Sequence, residues 1–213
     1  LNIYKTMTNN ELYYALTKYG DFWPLSISHK PEIKKLKETL SDYKWIQYNP
    51  TKDINRYGLS ITSYDGGMSG IPDLDSLVEY WRRTGTWIDE TELDQKTEIY
   101  PLFAKWLDPI EKHICRTHII RLDPGGFFPN HRDCRDLDVR SFRLFIPLDY
   151  HDQRHYFILN NKLLQFNNGQ MYFFNECLSH TVMNASMSSW HFIVVNVKLT
   201  EESVIDTLKH IIG

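Results

Sequence analysis

Ser141-Phe142-Arg143-Leu144-Phe145-Ile146-Pro147-Leu148 is the stretch on which the architecture turns. Alternation places Phe142, Leu144, Ile146 and Leu148 on one face and Arg143, Phe145 and Pro147 on the other, which predicts a strand covered on both sides. An arginine in such a strand needs a partner, because a buried guanidinium without one is costly. Two uses satisfy it. One is an internal salt bridge, to Asp149 or to an earlier acid; the other is recognition of a carboxylate ligand, which the planar fork suits.

Outward from this strand, further strand-like runs occupy 117–122, 155–159, 170–175 and 191–198. Turn residues separate them at 123–126 (Asp-Pro-Gly-Gly), 149–153 and 167–169 (Asn-Asn-Gly). Several short strands at close spacing predict a sandwich or barrel. An amphipathic helix is expected over 200–212, capped by Thr200, with Val204, Ile205, Leu208, Ile211 and Ile212 apolar.

The first half reads as mainly helical. Thr8-Asn9-Asn10 and Gly20 bracket one helix, and Pro31 opens another with Ile33, Leu36 and Leu40 on one face. Leu74, Leu77, Val78 and Trp81 form a third apolar stripe, and Leu102, Phe103, Trp106 and Leu107 a fourth; each is expected to be core. Between them, 56–64 reads as a strand, and 65–70 as a glycine-rich loop. The expected organisation is one domain over 1–213: a mostly helical part over 1–115, a β core over 116–199 and a C-terminal helix over 200–213.

A chain of 213 residues can bury a sizeable core, and its net charge of −3 gives no reason to expect nucleic acid or an anionic membrane as partner. Cys115, Cys134 and Cys177 are few, odd in number and irregularly spaced, which predicts no disulfide framework and a reducing compartment. No apolar run is long enough for a membrane span, and residues 1–10 lack a secretory pattern, so a cytoplasmic protein, monomeric or homodimeric, is expected.

The chemistry-bearing motif is His131-Arg132-Asp133. On extended backbone, residues i and i+2 point the same way, so an imidazole and a carboxylate can reach one metal ion. His180, after the run 170–175, is the candidate third ligand. Two histidines and one carboxylate on one face leave positions open for substrate and O₂, the donor set of non-haem Fe(II) oxygenases. A short motif of this kind occurs by chance; the strand context on both sides is what raises it. The competing zinc sets, His113, Cys115 and His118, or His131 with Cys134, match no strong zinc spacing. Cys134 reads either as a reactive thiol beside the metal or as a buried apolar residue.

The segments 121–126, 131–133, 143–148, 169–175 and 179–186 together resemble the aspartyl/asparaginyl β-hydroxylase family of Fe(II)/2-oxoglutarate-dependent oxygenases, in the style of its proline cis-hydroxylase-like branch, which carries the H-x-D carboxylate. The resemblance spans roughly 117–198 and rests on the order of the motifs. It implies a mainly β fold, a double-stranded β-helix (jelly roll, cupin-like) with flanking N-terminal helices and a C-terminal helix. It implies Fe(II) on His131, Asp133 and His180, with 2-oxoglutarate and O₂ as co-substrates in hydroxylation of an amino acid or an amino-acid side chain, and a small-molecule or peptide substrate. Arg143 is implied to contact a carboxylate, and Asn184 and Ser186 to support the site or its turn. One position departs from the family. The arginine usual about ten residues after the distal histidine is absent, and Ser189-Trp190-His191 stands there. His191 is then a candidate for the far carboxylate of 2-oxoglutarate, with Arg143, Arg140 and Lys198 as other candidates. A non-enzymatic metal-binding or interaction protein of the same fold is the alternative. From position alone, Arg56 is a candidate for a substrate carboxylate, and Tyr64 with the 65–70 loop for the substrate entrance.

Overall fold

The computed structural model describes residues 7–49, 54–134 and 139–212. Its first part holds α1 (Asn9–Thr17), β1 (Phe22–Ser28), α2 (Ile33–Leu40), β2 (Ile46–Gln47), β3 (Arg56–Ser60), β4 (Thr62–Ser63), α3 (Leu77–Thr84), β5 (Gln95–Lys96) and α4 (Ala104–Leu107). Then come β6 (Ile114–Leu122), β7 (Phe127–His131), β8 (Ser141–Pro147), β9 (His155–Leu159), β10 (Lys162–Leu163), β11 (Gln170–Phe174), β12 (His180–Asn184), β13 (Trp190–Lys198) and α5 (Glu201–Leu208).

All strand pairs are antiparallel. One sheet runs β1-β11-β8-β13-β6-β3-β2 and faces a second, β10-β9-β12-β7; β4 and β5 form a short ribbon. The fold is a jelly roll. Alternation along each strand divides the apolar residues between two clusters. Phe142, Leu144 and Ile146 of β8, with Ile193, Val195 and Val197 of β13, turn outward to meet Leu12 and Leu16 of α1, Leu40 of α2 and Val204 of α5. Phe145 of β8 and Trp190 and Phe192 of β13 turn inward, where Phe157 and Leu159 of β9 and Val182 of β12 close over them. The larger sheet is thus buried on both faces, which is why β8 reads as a nearly continuous apolar run.

The helix ends follow their cap signals. Thr8 accepts the Glu11 N–H at 3.3 Å, and Glu11 accepts the Thr8 N–H at 2.7 Å; Thr200 and Ser203 cap α5 in the same reciprocal way.

Three expectations are corrected. The first half carries more strand than expected, since β1, β2 and β5 join the expected strand within it and β1 pairs with β11 in the large sheet. In β1, Trp23, Leu25 and Ile27 are buried in alternation, the pattern of a strand. Of the stripe at Leu74, Leu77, Val78 and Trp81, Leu74 is core and the helical residues are not. Ser76 caps α3, so Leu74 precedes the helix, and Val78 and Trp81 stand 44% and 45% exposed. Third, Cys134 and Cys177 form a disulfide, leaving Cys115 as the buried free thiol. The cause is sheet register: β7 and β12 pair His131 opposite His180, so the residue three beyond one strand meets the residue three before the other. No helix among the described residues is long and apolar enough to cross a membrane.

Candidate metal centre

His131 ends β7, His180 begins β12, and these two residues are register partners in one ladder. Their rings lie 4.3 Å apart between centroids. Asp133 follows β7 by two residues and is held by its N–H on the Glu176 carbonyl at 3.1 Å. Its carboxylate reaches between the rings: Oδ1 is 3.3 Å from His131 Nε2 and Oδ2 is 3.2 Å from His180 Nε2. One donor atom from each of the three lies within 4.8 Å of the others.

The outer nitrogens of both rings are occupied. His131 Nδ1 is 2.6 Å from the Pro129 carbonyl and His180 Nδ1 is 2.9 Å from the Leu178 carbonyl. A carbonyl only accepts, so each Nδ1 carries a hydrogen and each Nε2 is the ring nitrogen turned inward. Two ring nitrogens and a carboxylate that converge from one side form a set that can hold a cation. This backbone anchoring of the far ring nitrogen is also how metal-binding histidines are oriented. The donor set, two imidazoles and one carboxylate on one side, fits Fe(II).

Arg143 enters from β8 on the inward side. Its guanidinium binds the Asp133 carboxylate through Nη1, and its Nε lies 2.9 Å from Glu176 Oε2. Both earlier uses of this arginine therefore bear on one place: it is an internal ion pair, and it stands at the triad. Burial pushes the Asp133 carboxyl up, but Arg143 and the two imidazoles outweigh this and hold it well below the usual carboxylate range. Burial also acts against the charge on Arg143, yet Asp133 and Glu176 raise its pKa further. Glu176 was not anticipated. Its carboxyl is 3% exposed, and burial lifts it against the pull of Arg143. The available signal was an acid placed two residues after the apolar strand β11.

Phe157 and Phe174 wall His180 at 6.0 and 5.5 Å, and Phe128 lies 6.4 Å from His131 at an interplanar angle of 22°. Arg56, the first residue of β3, is paired with the inward-facing Leu122 and is 4% exposed. Its Cζ sits 4.3 Å from the Phe128 ring centre and 5.5 Å from that of Tyr48. Asn184 and Ser186 shape the turn after β12: Asn184 Oδ1 accepts the Ser186 N–H at 2.9 Å, and its Nδ2 donates to the Leu122 and Ser188 carbonyls, each at 2.8 Å.

His191 is not brought to the triad. It shares the parity of Ile193 and Val195, whose side chains join the outer cluster, and its Nδ1 is 3.0 Å from Asp149 Oδ2. Lys37 of α2 reaches the same Asp149 oxygen at 2.8 Å, and Trp45 packs edge-on against the His191 ring. Strand alternation thus turns the expected carboxylate contact outward. Lys198 and Arg140 are likewise engaged elsewhere, with Asp94 and Asp89 at 2.6 Å each. Trp190 takes the inward place on β13. It is fully buried, stacked 4.7 Å from His155, and its Nε1 has no partner. Tyr64 stands 48% exposed and makes no hydrogen bond or ring contact with the triad among the described residues. The zinc sets are dispersed: His113 pairs with Asp206 at 3.0 Å, Cys115 is a buried thiol, and Cys134 is in the disulfide.

Residues 29–198 match the family model described as aspartyl/asparaginyl beta-hydroxylase. No curated protein matches the chain. Among solved structures, a 2OG-Fe(II) oxygenase family oxidoreductase from Burkholderia pseudomallei is similar over 91% of this chain and 91% of its own, at 12% identity and a TM-score of 0.47. A predicted oxalate decarboxylase from Thermotoga maritima is similar over 43% of this chain and 73% of its own, at 18% identity and a TM-score of 0.33. A cupin domain from Bordetella pertussis is similar over 40% of this chain and 82% of its own, at 20% identity and a TM-score of 0.30.

Proposed function

The chain belongs to the aspartyl/asparaginyl β-hydroxylase family, and on that premise we propose that it is an Fe(II)- and 2-oxoglutarate-dependent dioxygenase that hydroxylates an unactivated C–H bond of an amino acid or an amino-acid side chain. The observation that carries this reading is the convergence of His131 Nε2, His180 Nε2 and the Asp133 carboxylate, with both Nδ1 atoms tied to backbone carbonyls. Bound Fe(II), with 2-oxoglutarate and O₂, supplies the oxidising power for C–H hydroxylation.

The protein's own part is placement and exclusion. The β7–β12 ladder fixes the two imidazoles, and Arg143 aims the Asp133 carboxylate between them. Arg143 keeps its charge and stands where a carboxylate of 2-oxoglutarate would approach the triad. Phe157 and Phe174 cover His180 and keep water from that side of the centre.

A second reading is a metal-binding protein of the same fold that does not use 2-oxoglutarate. Trp190 favours it, because an indole fills the inward position on β13 where the family's arginine is expected. One experiment separates the two. Anaerobic Fe(II) is titrated into the protein, 2-oxoglutarate is added, and the metal-to-ligand charge-transfer band is read. Succinate is then measured across a panel of amino acids in air. A band and substrate-stimulated succinate support the dioxygenase; metal binding with neither supports the second reading.

A further inference from the structure

Among the described residues, the buried arginines have polar partners, with one exception. Arg116, 8% exposed, donates to the Asp73 and Asp75 carbonyls at 3.0 and 2.7 Å. Arg143 holds Asp133 and Glu176. Arg56 is more deeply buried than Arg116, at 4% exposure, yet it makes no ion pair and donates no side-chain hydrogen bond among the described residues. Its Nε is wholly shielded and unpartnered. Among the described residues two rings face it: Phe128 at 4.3 Å and Tyr48 at 5.5 Å from Cζ. Burial alone lowers its pKa, with no carboxylate to offset the loss of solvation.

A cation–π contact on two rings recovers only part of the cost of burying a guanidinium. The remainder is recovered when an anion arrives. Its position says which anion. Phe128 also packs beside His131, so Arg56 and the metal centre share a wall. Tyr48 continues that wall to His118, 5.4 Å away. A single planar fork flattened on an aromatic ring presents parallel N–H groups along one edge, the match for a carboxylate. Phosphate is better matched by a cluster of cations or a run of backbone N–H groups.

We propose that Arg56 is the carboxylate-binding residue beside the metal centre, holding through its guanidinium edge either the far carboxylate of 2-oxoglutarate or the carboxylate of an amino-acid substrate. This rests on the dioxygenase reading for the identity of the ligands, and on the unpartnered guanidinium for the site itself.

Wild type, R56M and R56K are compared as full chains. Co(II) titration should give the same metal affinity within about twofold, because Arg56 touches no triad residue. With metal bound, 2-oxoglutarate is set against 2-oxopentanoate, which has the same chain without the far carboxylate. The protein amino acids are set against the amine of any that binds. R56M should weaken one carboxylate form by about 30-fold and leave its carboxylate-free counterpart unchanged. The pair that responds identifies the source, and R56K, which keeps the charge but not the fork, should fall between. Ligand-free R56M should melt no lower than wild type, since an unpaired buried charge is removed.

The proposal is overturned if R56M binds every carboxylate as wild type does. It is equally overturned if both variants lose the fold or the metal, which would make Arg56 a packing residue, or if metal-loaded wild type binds neither 2-oxoglutarate nor any amino acid. Failure of the dioxygenase reading shows itself separately, as wild type that binds an amino acid through Arg56 but gives no charge-transfer band.

Discussion

Arg143 balances two acids with one guanidinium, and only one of those acids is also a candidate metal ligand. Removing the arginine leaves Asp133 and Glu176 facing each other in a buried place, a change that typically costs about 3–5 kcal/mol. R143M should therefore be strongly destabilised in metal-free protein and less so with Co(II) bound, because a cation then takes over Asp133. Adding Glu176→Gln to R143M should restore about 1–2 kcal/mol. Urea melts of the single and double variants, with and without Co(II), check both statements; equal losses in the two metal states would sink the first. A second residue gives a pH signature far from the metal. Burial lifts the Asp73 carboxyl to about 6, against hydrogen bonds from Ser60 Oγ at 3.1 Å and the Tyr64 N–H at 3.0 Å. An unfolded aspartate titrates near about 3.9, so between these values the folded state holds more protons. The stability Asp73 allows is full below pH ~4 and falls by about 2–3 kcal/mol as pH rises through 6. His155 opposes it. Burial lowers its imidazole to about 4, so its unfolded form binds more protons up to pH ~6.5 and stability rises with pH over that range. The two nearly cancel in the wild type. D73N should unmask a stability that climbs from pH 4.5 to 6.5; a profile parallel to wild type in urea melts would refute the assignment.

At the level of elements, the Cys134–Cys177 disulfide joins the segment after β7 to the connection before β12 across 43 residues of sequence. Asp133 and Glu176, each next to one of these cysteines, share a backbone hydrogen bond of 3.1 Å, so the crosslink sets the ligand segment against the ladder that carries the histidines. The double variant C134S/C177S should lose about 2–4 kcal/mol and bind Co(II) about 10-fold more weakly. Wild type under thiol reductant should behave the same way, and an unchanged metal affinity would show that the ladder alone positions Asp133. The sequence carries this link only indirectly. Cysteine spacing says nothing, whereas the register of His131 opposite His180 makes the contact unavoidable, and register is a tertiary fact. The pair His131 and Asp133 was legible for the opposite reason: two residues apart, it is local. His191 was misplaced because proximity in sequence to Trp190 ignores parity, and one residue along β13 moves a side chain from the inner cluster to the outer. The α3 stripe failed because its period is helical but the helix begins only after Leu74 and lies on the surface. Strand β1 went unread although Trp23, Leu25 and Ile27 alternate, since Pro24 interrupts the run and pairing with β11 is a long-range event.

At the scale of the whole molecule, the seven-stranded sheet separates two apolar cores with different duties. The outer core holds α1, α2 and α5 to the sheet; the inner core is shared with the four-stranded sheet that carries both histidines. Adjacent residues on one strand serve different cores, as Leu144 and Phe145 do, so the sheet backbone stands between the two. Its backbone hydrogen bonds make it stiff, and a cavity on the outer side should relax into the helices rather than through the sheet. Leu16 of α1 is fully buried in the outer core, and Phe157 of β9 is 1% exposed in the inner core, 6.0 Å from the His180 ring. Leu16→Ala and Phe157→Ala should each cost about 2–5 kcal/mol. Well below their melting temperatures, the two should part: Leu16→Ala keeps wild-type Co(II) affinity within about twofold, and Phe157→Ala weakens it about 10-fold by loosening the wall that fixes the imidazole. Paired denaturation and metal titrations decide it, and a metal affinity that simply tracks stability in both variants would mean the two cores act as one.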